Sequence, residues 1–205
     1  MKQTVNGNIT GIRESVLQQI EALYEFAAGQ DQLIGQDLIE QMALLTAAIN
    51  REISVYIRRN GSIADVSVGN SANVSLPEMR VVRNETRLCG VRCIHTHPKG
   101  GARLSDVDIG TLKSMKLDCM ASIGVQEGRA TAMYAAFIGE WNEQTGYDVC
   151  MYGPLRVDRL PHAALIRELY AADERLRSST HEVAEARPER AILVGLERQG
   201  GDSGL

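Results

Sequence analysis

Two histidines one residue apart, His95-Thr96-His97, close a short apolar run from Gly90 to Ile94 and are followed by Pro98, a basic glycine-containing stretch, Ser105 and Asp108. Residues i and i+2 of a strand project to one side, because the side-chain period of a strand is two. If the run is a strand, both imidazoles can grip one metal ion. Asp108 then falls about one turn into a helix that starts after Ser105, and the Pro98–Leu104 loop can fold it back toward the imidazoles. Two His and one carboxylate, with the fourth position left to water, form the open arrangement of a catalytic zinc site, with Zn–N distances of about 2.0–2.1 Å. Zinc lowers the pKa of its water to about 7, which supplies hydroxide at neutral pH. Hydrolysis also needs a general base. Glu52, between a helix and the first strand, is the candidate, and Glu78 is a second carboxylate upstream of the motif. Ser105 is placed to donate to the oxyanion of a tetrahedral intermediate, worth a few kcal/mol, and is equally suited to cap the helix. The metal-free alternative for the same residues is a hydrogen-bonded strand end and helix cap.

The surrounding sequence predicts the elements that must position these groups. Between Gly11 and Ala28, Ile12, Val16, Leu17, Ile20, Leu23, Tyr24 and Ala27 recur at steps of three and four, an amphipathic helix that Gly29 ends. A second helix over 36–50 carries Leu38, Ile39, Met42, Leu45, Ala48 and Ile49. The period then changes to two: Ile53, Val55 and Ile57 alternate with Ser54, Tyr56 and Arg58. Asn60-Gly61 predicts a type I′ hairpin turn into Ile63–Val68. Gly69 to Pro77 reads as loop. Strands follow near 119–125, 130–138 and 147–152, then a helix over 161–177. Fold class is therefore α/β (α+β), with helices flanking a central mixed β-sheet.

Composition narrows the function classes. With 44% hydrophobic and 23% charged residues the 205-residue chain can bury a core. A formal net charge of -4 lacks the overall signature of a nucleic-acid binder. Arg58, Arg59, Arg80, Arg83, Arg87 and Arg92 offer either a local positive face for RNA or an ordinary solvated surface, interrupted by Glu78 and Glu85. Lys99 and Arg103 offer either a substrate contact or a flexible connection. No run approaches the roughly 18–20 apolar residues of a membrane span, and no signal peptide is evident, which predicts a cytoplasmic protein with no membrane partner. The four cysteines, Cys89, Cys93, Cys119 and Cys150, read as buried free thiols rather than a disulfide framework.

The pattern His-x-His-Pro-x6-Ser-x2-Asp with an upstream glutamate resembles the JAMM zinc metallopeptidase motif, unbroken from His95 to Asp108. That resemblance implies one Zn²⁺ per chain held by His95, His97 and Asp108, with Glu52 as proton shuttle and Ser105 as oxyanion donor. It also implies hydrolysis of a peptide or isopeptide substrate. The stretch from Glu52 through the hairpin is similar to the RadC branch of the same superfamily. Three further segments, Ile49–Ile57, Val74–Glu78 and Arg92–Pro98, resemble the N-terminal extension of some bacterial HflX GTPases. Glu189–Glu197 is similar to the first strand of the domain that follows in those proteins. This implies residues 1–177 as a JAMM-like domain with N-terminal helices, 178–189 as a linker and 190–205 as the first strand of the next domain. The implied partners are the rest of an HflX-type GTPase and the ribosome. The chain has no Gly-x4-Gly-Lys-Ser/Thr phosphate loop, so no nucleotide site is expected in it and it should not hydrolyse GTP.

Overall fold

A computed structural model describes residues 4–69 and 88–185. The chain is mixed α/β, as the alternating periods predict. The elements are β1 (Asn6–Gly7), α1 (Glu14–Glu21), α2 (Gln36–Ile49), β2 (Ile53–Arg58), β3 (Ile63–Val68), β4 (Val91–His97), α3 (Asp106–Met115), β5 (Cys119–Gln126), β6 (Arg129–Asn142), β7 (Gly146–Leu155) and α4 (His162–Glu185). Short 3-10 turns follow α1 and β7. The strands form one seven-stranded sheet in the order β1-β3-β2-β4-β5-β6-β7. β4 and β5 run parallel, with α3 as the crossover between them, and β1 runs parallel to β3. The remaining neighbours are antiparallel.

β4 carries the motif between β2 and β5, so its backbone is paired on both sides. Thr96 and His95 alternate across the sheet. Thr96 meets Thr46 of α2, and His95 meets Asp108 of α3, so α2 and α3 cover opposite faces. α4 lies on the α2 side, where its Glu168 accepts a hydrogen bond from Tyr152 at 3.1 Å. Between the layers Ile53, Val55, Ile57, Ile94, Ala121 and Phe137 are buried, with Leu38, Ile39 and Met42 of α2 against them. Apolar burial contributes roughly 25 cal/mol per Å², so this layer stabilises the packing of α2 on the sheet.

Several expectations are corrected. The first helix is shorter than 11–28: α1 ends at Glu21, and a 3-10 turn covers Ala22–Glu25. Beyond it Ala27 bridges to Ser62, and Ala28 N–H donates to Gly61 O at 3.0 Å, so pairing with the hairpin turn pulls the chain out of helix. The hairpin turn is not type I′. Gly61 alone of the Asn-Gly pair takes a positive φ, +86°, and Gly61 N–H returns to Arg58 O at 2.9 Å, the longer loop closed by a left-handed glycine. Asn60 instead uses its side-chain oxygen to accept from the Ser62 N–H at 3.1 Å. The last helix runs on to Glu185, past the expected boundary at 177, because no glycine or proline interrupts Ser178–Glu185. The linker read from 178 is therefore helical over 178–185. The two-residue β1 was not expected. The Gly69–Pro77 loop beyond Gly69, Glu78 and the terminal strand expected in 190–205 lie outside the described residues.

Candidate metal centre

The site is built at the end of β4. His95 is fully buried, and its Nε2 lies 2.9 Å from His97 Nε2 and 3.5 Å from Asp108 Oδ1. One donor atom from each of the three residues falls within a common 4.8 Å cluster. The expected same-side projection of His95 and His97 is what the strand delivers, with ring centroids 4.8 Å apart.

His97 and Asp108 are each oriented by a partner behind them. His97 Nδ1 lies 2.8 Å from the Gly101 carbonyl, which can only accept, so Nδ1 carries the proton and Nε2 presents a lone pair when the ring is neutral. Burial pushes His95 down to about 4, against the opposing pull of Asp108, and His97 adds to the lowering. A neutral imidazole at pH 7 is the form that binds a metal. Its Nδ1 is buried without a hydrogen-bond partner among the described residues, while the Ala121 backbone opposes the lowering.

Asp108 is placed by the start of α3. Ser105 is the N-cap, and the two form a capping box: Asp108 N–H donates to Ser105 Oγ at 3.2 Å, while Ser105 N–H and Oγ–H both donate to Asp108 Oδ2 at 2.7 Å. With Oδ2 taken by the cap, Oδ1 is the oxygen turned to the histidines. Ser105 thus spends its hydroxyl proton on the ligand carboxylate in this structure.

Glu52 lies just before β2 and is only 5% exposed. Burial pushes its carboxyl up to about 7, and the charge of Asp108 adds to the rise. It stands outside the three-ligand cluster. A hydroxyl between the histidines fixes where it starts. Thr96 Oγ1 accepts the Ile53 N–H at 3.0 Å and lies 3.3 Å from Ile53 O, and Thr46 Oγ1 is 2.5 Å away. The β2–β4 ladder reaches only Ser54–His95, so this hydroxyl continues the pairing to the residue after Glu52. Thr46 and Thr96 were not singled out from the sequence. The signal available was a polar residue inside the apolar stripe of α2.

The donor set fits zinc and its first-row divalent neighbours: two imidazole nitrogens and a carboxylate oxygen, with outer partners on His97 and Asp108. Of the two readings of the arginines, a positive face or a solvated surface, neither describes Arg92 and Arg59. Arg92 is buried and donates to the Leu33 and Gln32 carbonyls at 2.7 and 3.3 Å. Arg59 pairs with Asp118 at 3.3 Å and Asp173 at 2.5 Å. Arg80, Arg83 and Arg87 lie outside the described residues. Lys99 and Arg103 are exposed beside the site. All four cysteines are free, Cys93 and Cys119 buried and Cys89 and Cys150 half-buried. Cys89, Asp118 and Asp173 form a second cluster of potential ligands, but Arg59 already supplies its positive charge.

No protein-family model matches the chain, and no curated protein matches it. A solution structure of a protein from Salinibacter ruber is similar at 15% identity over 58% of this chain and 88% of that one, with a TM-score of 0.29. A likeness at that level carries no argument about fold or function. No helix among the described residues is long and apolar enough to cross a membrane.

Proposed function

We propose that this chain is a zinc-dependent JAMM-type hydrolase domain acting on a peptide or isopeptide bond, and that it is the N-terminal extension of a cytoplasmic HflX-type, ribosome-associated GTPase. The observation that carries the hydrolase reading is the convergence of His95 Nε2, His97 Nε2 and Asp108 Oδ1 near a buried glutamate held at about 7. When bound, zinc would supply Lewis acidity toward the scissile carbonyl and an acidified water. His95, His97 and Asp108 would hold it. The Glu52 carboxylate takes the proton of the attacking water and returns it to the leaving nitrogen, a role suited to a group that titrates near neutrality. Ser105, exposed at the start of α3, would have to turn its hydroxyl from Asp108 to reach a developing oxyanion.

That commitment of Ser105 favours a second reading, a regulatory module that docks the GTPase on the ribosome without hydrolysing anything itself. Two variants separate the readings. Elemental analysis of untagged protein purified without chelators should find about one zinc per chain, lost in His97→Ala. Glu52→Gln should retain the zinc and lose about 10²- to 10⁴-fold in turnover of peptide and isopeptide probes. Zinc retained in His97→Ala would refute the ligand set. Zinc binding with no turnover of any probe, together with salt-dependent co-sedimentation with ribosomal subunits, would favour the docking module.

A further inference from the structure

The two β5 residues paired with the ligand histidines both touch the loop behind His97. In the parallel β4–β5 register Ser122 stands opposite His95, and Gly124 stands opposite His97. Ser122 is fully buried, and its hydroxyl donates to the Ala102 carbonyl at 2.6 Å. Gly124 lies so close to the loop that a Cβ on it would come within 2.4 Å of the Gly100 carbonyl oxygen. Between them the Gly101 carbonyl receives His97 Nδ1 at 2.8 Å. Three successive carbonyls are therefore placed, the outer two by β5 and the middle one against the ligand imidazole.

We propose that Ser122 and Gly124 are positioning residues of the metal centre: by seating the Gly100–Ala102 segment, they hold the Gly101 carbonyl where it sets the tautomer and ring orientation of His97. The proposal rests on the metal-centre reading above. Ser122 supplies the only hydrogen bond from β5 to this segment among the described contacts, and the missing side chain at Gly124 supplies the room. Loss of an outer partner of a ligand histidine typically weakens metal binding ten- to a hundredfold.

The test is zinc affinity, measured by competition with a chromophoric chelator, on the full chain and on Ser122→Ala. The variant should fold, bind zinc ten- to a hundredfold more weakly and show displaced visible bands when loaded with Co²⁺. Equal zinc affinity and unchanged Co²⁺ bands in folded Ser122→Ala would overturn the proposal and leave the metal centre intact. No zinc binding by the parent would overturn the metal-centre reading and the proposal with it. A second measurement depends on no variant: ¹⁵N shifts of the His97 ring in the metal-free parent. A neutral ring protonated at Nδ1 is expected, and one protonated at Nε2 would refute the role of the Gly101 carbonyl.

Discussion

At the scale of single residues, Ser105 has two possible duties that make different predictions. Its hydroxyl and amide hold Asp108 Oδ2, which leaves Oδ1 for the histidines. Ser105→Ala should therefore cost about 1 kcal/mol of stability through the lost cap and weaken zinc binding by about ten- to a hundredfold through the freed carboxylate. If its role is oxyanion donation alone, zinc affinity stays unchanged and turnover falls about 10²- to 10³-fold. Chelator competition and probe hydrolysis on one preparation distinguish the two. The contrast with Glu52 is instructive: a carboxyl buried and raised to about 7 is suited to moving protons, whereas the half of Asp108 tied to the cap is suited to staying still.

At the scale of elements, the junction of β4, β5 and α4 is held by charge. Asp118, beside the start of β5, accepts the Gly90 N–H at 2.8 Å and pairs with Arg59, which also binds Asp173 of α4. Burial raises Asp118 to about 6, aided by Asp173 and opposed by Arg59 and the Gly90 amide. A carboxyl raised in the folded state costs nothing below its unfolded pKa, progressively more as pH climbs from there to the folded value, and a constant amount above it. In Asp118→Asn that cost is absent. The unfolding free energy of the variant relative to the parent should therefore rise between about pH 4 and pH 6, by up to about 3 kcal/mol. Paired urea titrations at the two pH values measure it, and a flat difference would refute the burial argument. Asp173 has the opposite sign. Burial opposes the change, but its hydrogen bonds from Arg59, Arg177 and Cys89 hold it near 2, so its contribution is present above about pH 4 and is lost as pH falls toward 2.

At the scale of the whole molecule, the candidate metal centre joins β4, α3 and the loop between them, so a metal bound there only by the folded state should stabilise the entire chain. At free zinc a hundredfold above its dissociation constant the gain is about 2.7 kcal/mol, or roughly 5–10 °C in Tm at this chain length. Calorimetry with and without chelator should show that shift in the parent and none in His97→Ala. Much of this assembly was legible in advance. Period-two alternation at Ile53–Arg58, an i, i+2 histidine pair and a serine three residues before an aspartate are local patterns, and local patterns report faces and caps directly. Arg92 shows where that stops: in the sequence it is one of several scattered arginines, and in the fold it is a buried bracket on the Leu33 and Gln32 carbonyls. The same limit applies to the Thr46–Thr96 contact, to Ser122 and Gly124, and to the burial that raises Glu52, because each depends on which strands become neighbours. The sequence by itself determined the element types and the three candidate ligands, since these follow from backbone periodicity and side-chain chemistry. The tertiary structure alone decided the order β2-β4-β5, the tautomer of His97 and the environment of Glu52, because pairing, desolvation and hydrogen bonding arise only between segments far apart in the chain.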